Sequence, residues 1–133
     1  DNVDSIAAYI IKQDTGYSKD ILMELGVTDM FNISLNMLAN INKAFENEDT
    51  ALARKVYSMD EQLNIYNENA VNALSPYILN EPEELNKHLY LLSSIRKLER
   101  NGDLIKNIAE ELIFYVEALV IKHQSKNKKP NAI

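Results

Sequence analysis

The chain has 133 residues, of which 46 % are hydrophobic and 26 % are charged, so it is long enough for one globular domain with its own core. The 14 Lys and Arg residues against 20 Asp and Glu residues give a formal net charge of −6, which argues against a nucleic-acid-binding surface. The chain has no cysteine, which excludes disulfides and thiolate metal sites. No apolar run reaches the roughly 18 residues of a membrane span and no signal peptide is visible, so we expect a cytoplasmic protein.

The N-terminal part predicts the end of a helix followed by a linker. Residues 1–13 have apolar side chains at helical spacing: Val3, Ile6, Ala7, Ile10 and Ile11. Residues 14–28 contain two glycines and are predicted to form the linker, with room for one helical turn at residues 21–25.

Three long helices are predicted after the linker. The first covers residues 29–47, and its apolar side is predicted to consist of Met30, Met37, Ile41, Ala44 and Phe45. The second begins near Asp49, a favourable N-cap residue, and runs to about residue 77 with apolar residues at alternating spacings of four and three. The third covers residues 82–123, with Pro82 in its first turn and an apolar stripe from Leu91 to Leu119.

The short connections between these helices predict their arrangement. Connections of two or three residues make consecutive helices antiparallel. We therefore predict an all-α protein whose residues 29–123 form an up-down three-helix bundle. The basic residues after position 123 are interpreted as a disordered tail, residues 124–133.

Two rows of oxygen-bearing side chains lie beside the predicted packing stripes. Glu99, Asp103 and Asn107 follow one another at spacings of four on the third helix, and Asp60 and Asn64 do the same on the second. Each row is offset by one position from a stripe, so we expect these side chains at the margin of the core. Carboxylate and amide oxygens suit hard or high-valent cations, which makes the rows a candidate metal site.

The same residues have a simpler interpretation. Acidic pairs four residues apart on a helix are more often a solvated face. Gly102 lies between Glu99 and Asp103, and a glycine inside a helix indicates either a site or a close approach of two helices. The spacing alone leaves both explanations open.

Catalytic patterns are missing from the sequence. A di-iron site of the ferritin type needs paired Glu-x-x-His motifs, whereas Glu84 and His88 are four apart and have no second copy. His88 and His123 each stand alone and are interpreted as surface or interface residues. No phosphate-binding glycine loop or nucleophile motif is present, so we predict that the chain is not an enzyme. A carboxylate-metal hydrolase or oxidase is kept as the weakest alternative.

An internal repeat connects the two ends of the chain. Aligning Asp1 with Asp103 pairs identical residues at three positions, 6 with 108, 7 with 109 and 11 with 113. The period is 102 residues (103 − 1). We therefore interpret residues 1–13 as the end of the last helix of an earlier, mostly absent bundle.

The segment Leu-Glu-Arg-Asn-Gly-Asp at residues 98–103, followed by Asn-Ile-Ala-Glu at residues 107–110, resembles the signature of the PhoU family. Residues 113–123 resemble that family's C-terminus, and Asp60 lies where its second helix carries an acidic motif. The resemblance implies two tandem three-helix bundles, of which this chain would hold the second. Asn64 departs from the pattern because the family often has an acid there.

The resemblance implies a cytoplasmic negative regulator of the phosphate-starvation response, with a phosphate-transporter ATPase and a sensor histidine kinase as partners. It also implies metal (iron, zinc, magnesium or manganese) on Asp60, Asn64, Glu99, Asp103 and Asn107, and on Asp1 for the first bundle. A homodimer is left open, and no nucleic-acid partner is expected. The main alternative is the cytoplasmic domain of a sodium–phosphate cotransporter, which can end in a similar bundle.

Overall fold

The computed structural model describes residues 17–128. The predictions for residues 1–13, including Asp1, lie outside this range, as do residues 129–133. The described elements, in chain order, are α1 (Lys19–Glu24), α2 (Val27–Asn47), α3 (Thr50–Asn80), a 3₁₀ turn (Pro82–Glu84) and α4 (Leu85–Asn127).

The all-α prediction is confirmed, and α2, α3 and α4 correspond to the three predicted long helices. Asp49 caps α3, because its carboxylate accepts a hydrogen bond from the Leu52 backbone N–H at 3.0 Å. The connection before it is tight, with Glu48 in the left-handed region at φ 51°. Consecutive long helices are therefore antiparallel, and α2 and α4 run in the same direction.

The core lies where the three long helices meet, and its most extensive contact is between α3 and α4. The stripe predicted for the third helix is buried from Leu91 to Val116 and half-buried at Leu119. The placement of Phe45 was wrong, since this side chain is 69 % exposed. Its neighbour Ala44, which was predicted on the same side, is fully buried. No helix within residues 17–128 is long and apolar enough to cross a bilayer.

The predicted linker is largely structured in its described part. The Ser18 hydroxyl accepts a hydrogen bond from the Ile21 backbone N–H and caps α1, which begins two residues before the predicted turn. Ile21 and Leu25 are buried and join the core. Residues 17–28 therefore cover one end of the bundle, because their apolar side chains are the ones that fill it.

His88 was interpreted as a surface or interface residue, but it is buried within the bundle. It precedes Leu91 by three residues, so it continues the buried stripe of α4 by one step. Tyr17 lies over this end, where its hydroxyl donates a hydrogen bond to the Lys87 carbonyl oxygen at 2.9 Å. The burial of His88 depends on the N-terminal segment, which the helical pattern of α4 alone does not reveal.

The end of α4 also differs from the prediction. Residues 124–127 continue the helix instead of starting a tail. No helix-breaking residue occurs before Pro130, and Lys126 in the last turn interacts favourably with the helix dipole.

Gly26 joins α1 to α2 in a conformation that favours glycine. Its φ is 69°, in the left-handed region. A Cβ atom at this position would lie 2.2 Å from Cε1 of the Tyr66 ring. The left-handed backbone conformation and the lack of room for a Cβ atom therefore both require glycine at position 26.

We expect Gly26→Ala to destabilise the protein by about 2 kcal/mol or more, since about 1 kcal/mol comes from the left-handed backbone and the rest from the clash with Tyr66. Urea denaturation followed by circular dichroism measures this. When Tyr66 is also replaced by alanine, Gly26→Ala should reduce the free energy of unfolding only by the roughly 1 kcal/mol that comes from the left-handed backbone, because the clash is gone. An unchanged or raised midpoint in the single variant would contradict the conformation described for Gly26.

Candidate functional site

Gly102 lets α3 and α4 approach each other closely. A Cβ atom on this residue would lie 2.4 Å from Cδ1 of Leu63 and 3.0 Å from Oδ1 of Asp60. The close-approach explanation of this glycine is therefore confirmed. The approach also occurs directly beside the predicted carboxylate rows.

Asp60 is buried by this approach, with a relative exposure of 1 %. The prediction had placed it at the margin of the core. It is covered because the glycine opposite it has no side chain to hold α4 away. Its Oδ2 accepts a hydrogen bond from Lys106 Nζ at 3.0 Å, and its Oδ1 has no hydrogen-bond partner among the described residues.

Glu99 and Asp103 lie at the margin of the core, as predicted. Asp103 Oδ1 is 3.9 Å from Lys106 Nζ, so one ammonium group faces two carboxylates. Burial raises the pKa of Glu99, and the negative charges of Asp103 and Asp60 raise it further. The hydrogen bond to Asp60 and the charge of that carboxylate raise the pKa of Lys106.

The other predicted ligands do not join this group. Asn64 is half-buried and Asn107 is exposed. Neither hydrogen-bonds to the three carboxylates among the described residues, and Asp1 lies outside them. The structure therefore brings together Asp60, Glu99 and Asp103 from the predicted set.

The described carboxylates do not form a complete metal-binding group by themselves. Residues 17–128 contain no group of three or more His, Cys, Asp or Glu side chains that could hold a metal ion. The Lys106 ammonium already supplies positive charge beside the buried carboxylate. Metal binding by the predicted set stays a prediction.

Lys106 belongs to this group, although the sequence analysis did not single it out as a site residue. It was visible only as one basic residue in a mixed-charge helix. Its position three residues after Asp103 places both side chains on one face of α4. The sequence does show a lysine on the same face as Glu99 and Asp103, which could have suggested an ion pair. Its pairing with Asp60, however, depends on how α3 packs against α4.

Comparison with protein-family models identifies a PhoU domain over residues 27–112, more than half of the chain. The chain belongs to the PhoU family. The matched residues include the whole carboxylate–lysine group of Asp60, Glu99, Asp103 and Lys106. Family membership confirms the resemblance found in residues 98–110.

Curated relatives carry names that agree with this assignment. The chain is 30 % identical to a "Phosphate-specific transport system accessory protein PhoU homolog" of Pseudomonas putida over 88 residues, 66 % of this chain and 34 % of that protein. It is 28 % identical to the Escherichia coli "Phosphate-specific transport system accessory protein PhoU" over 90 residues, 68 % of this chain and 37 % of that protein. It is 27 % identical to a Deinococcus radiodurans "Phosphate-specific transport system accessory protein PhoU homolog" over 92 residues, which is 69 % of this chain and 43 % of that protein.

The match covers only part of these relatives. It spans between about a third and two fifths of their length. No solved structure matches the chain significantly.

Lys106→Met keeps the length of the side chain and removes its charge, which leaves Asp60 buried without a counterion. Breaking a buried ion pair costs about 3–5 kcal/mol. The Lys106 side chain is 34 % exposed. Because water can replace part of the lost interaction, we expect a loss of about 1–3 kcal/mol in the free energy of unfolding. Chemical denaturation at pH 7 measures it.

Two further variants make this test specific. Adding Asp60→Asn to Lys106→Met should recover part of the loss, because the buried charge is then removed. Lys43→Met, at an exposed position of α2, should change the stability little. Equal stability of Lys106→Met and the unaltered protein would show that the ion pair does not hold α3 to α4.

A second prediction concerns the pH dependence of stability. A carboxyl group whose pKa is higher in the folded protein than in the unfolded chain binds its proton more tightly there, so folding loses stability as the pH rises through that window. Glu99→Gln should therefore stabilise the protein at pH 7, by up to about 1 kcal/mol because Glu99 is partly exposed. The gain should shrink as the pH is lowered to about 4.

Urea denaturation at pH 7 and pH 4 compares Glu99→Gln with Glu46→Gln, which changes an exposed glutamate of α2. A loss of stability in Glu99→Gln at pH 7 would contradict the repulsion inferred between Glu99 and the neighbouring carboxylates.

Proposed function

We propose that this chain is part of a regulatory accessory protein of phosphate uptake. The observation that carries the proposal is the PhoU domain over residues 27–112, together with relatives whose names place them in phosphate-specific transport systems. The proposed role is to repress the phosphate-starvation response when phosphate is plentiful. The proposed partners are a phosphate-transporter ATPase and a sensor histidine kinase.

The carboxylate–lysine group supports a binding role rather than a catalytic one. Its one buried carboxylate is paired with a lysine, so it is neutralised and held in place. Glu99 and Asp103 have no nucleophile or histidine in their immediate hydrogen-bonded surroundings among the described residues. We propose that this group keeps α3 and α4 in a fixed relation, so that the outer face of α4 is presented as a rigid surface.

The outer face of α4 next to this group has mixed charge and includes two exposed arginines. Arg96 and Arg100 are exposed and stand one helical turn apart. Exposed charges at the rim of an interface increase the rate of association and fix orientation more than they add affinity. An acidic surface on a partner protein is therefore the proposed contact for this face.

Deletion of the gene tests the regulatory role. In the organism that carries it, we expect phosphate-starvation genes to be expressed even in high phosphate, because the repressing contact is lost. Reporter expression measures this at high and low phosphate, and the unaltered gene supplied in trans should restore repression. If phosphate-regulated expression is unchanged by the deletion, the proposed function is wrong.

The double variant Arg96→Glu/Arg100→Glu tests the proposed contact surface. We expect slower association with the transporter ATPase or the kinase in surface-binding measurements, most visibly at low salt, with helicity unchanged. Lys43→Glu/Lys55→Glu makes the same change in net charge at exposed positions of α2 and α3 and is the matched control. Equal association rates for the two double variants would remove this face of α4 from the proposal.

A further inference from the structure

His88 carries the two ring nitrogens that remain unsatisfied at the end of the bundle covered by the segment before α2. Its side chain is 3 % exposed, and neither Nδ1 nor Nε2 has a hydrogen-bond partner among the described residues. A neutral imidazole has one N–H donor and one acceptor nitrogen, and buried polar groups of this kind are nearly always satisfied. A small polar species bound beside the ring would remove this deficit.

A hollow of about 210 Å³ adjoins the His88 ring. Its wall includes side chains from three parts of the chain: Tyr17 from the segment before α2, Tyr77 and Glu81 from the end of α3, and Lys87 from α4. A water molecule takes up about 30 Å³ in the liquid. The hollow therefore has room for an ion together with several water molecules.

The carboxylate of Glu81 faces the buried ring. Its Oε2 atom lies 3.4 Å from Nε2 of His88, yet the two atoms do not form a hydrogen bond. Two other carboxylates near this end have different partners, since Glu24 accepts a hydrogen bond from the Tyr77 hydroxyl and Glu84 lies 3.8 Å from the Lys87 ammonium group. Glu81 is therefore the carboxylate that is available to act together with His88.

The distance between these two atoms is the distance between two ligands of one zinc ion. Zinc binds imidazole nitrogen at about 2.0–2.1 Å and carboxylate oxygen at about 2.0–2.2 Å, with tetrahedral geometry. Two ligand atoms in this geometry are about 3.3–3.5 Å apart. The observed 3.4 Å between Glu81 and His88 falls within this interval. A direct N–H···O hydrogen bond would instead bring the two atoms to about 2.9 Å.

The chemistry and charge of the pair also favour a transition-metal ion. Imidazole nitrogen suits zinc, copper and nickel, whereas magnesium and calcium prefer oxygen ligands. The Lys87 ammonium group is directed to Glu84 and to the face of the Tyr17 ring, 5.4 Å from its centroid. The Glu81 side chain is 52 % exposed, so it can turn outward to admit an ion and then close on it.

We propose that Glu81 and His88 form a binding site for a transition-metal ion of the zinc class, with water in the remaining coordination positions. Two protein ligands are fewer than the three or four of catalytic and structural zinc sites, so the ion binds reversibly. The site is separate from the carboxylate–lysine group. His88 precedes Glu99 by 11 residues (99 − 88), which is about 16 Å along α4.

A bound ion would link two elements at this end of the bundle. Glu81 is the C-cap residue of α3, and His88 lies in the first turns of α4. The ion therefore connects the end of one helix to the beginning of the next. Because the two ligands are held at this distance only in the folded chain, the ion should stabilise the folded state.

Nuclear magnetic resonance of the histidine rings tests the site directly, since the chain has two histidines. Zinc chloride is added to the isotope-labelled chain, and the ring nitrogens of His88 and His123 are followed. We expect Nε2 of His88 to shift at zinc concentrations that leave the exposed His123 unchanged. Magnesium chloride should shift neither histidine, because magnesium does not take imidazole ligands readily.

Glu81→Gln tests the second ligand, and the exposure of this side chain makes a folding defect unlikely to interfere. Loss of even an outer partner of a metal ligand typically costs about tenfold in affinity, so we expect the zinc dissociation constant to rise at least about tenfold. Glu83→Gln removes the same charge from an exposed neighbour and is the matched control. Zinc should raise the melting temperature of the unaltered chain and of Glu83→Gln more than that of Glu81→Gln.

Two results would overturn the proposal. Zinc that leaves the His88 resonances unchanged would show that the hollow holds only water. Equal zinc affinities of Glu81→Gln and Glu83→Gln, or an equal response of His88 to magnesium, would show that the glutamate and the histidine do not act as a pair of metal ligands.

Discussion

The close approach of α3 and α4 at Gly102 is the constraint on which the rest of the structure depends. Because position 102 has no side chain, α4 can cover Asp60 and take its carboxylate out of water. A buried carboxylate needs a counterion, and Lys106 provides one from the next turn of the same helix. One small residue thus determines the distance between two helices, the burial of an acid and the role of a lysine.

This pairing changes how the acidic motif is understood. A row of carboxylates on a helix suggests a place for a metal ion, but here part of the negative charge is balanced within the protein. The result is a fixed electrostatic link between α3 and α4, which leaves the outer sides of α4 available for other contacts. The exposed arginines Arg96 and Arg100 lie on such an outer side, so one helix combines internal support with a charged surface.

Much of the fold could be predicted because helical packing leaves a regular pattern in the sequence. The stripe from Leu91 to Val116 is buried as its spacing indicates, and Asp49 begins α3 as an N-cap. The errors have a common cause. Ala44 and Phe45 are neighbours that were both predicted on the apolar side of α2, but only Ala44 is buried. His88 is covered by a segment from another part of the chain. Spacing shows that a helix has an apolar side but does not show what will cover its edges.

By itself, the sequence determined the helices, their antiparallel order and membership of the PhoU family, because these follow from local periodicity, short connections and a contiguous motif at residues 98–110. Only the tertiary structure decided that Asp60 is buried, that Lys106 pairs with it, and that the segment before α2 covers His88. Each of these depends on the distance between helices that are far apart in sequence. That distance is set by side-chain packing across the interface, which the pattern of a single helix does not contain.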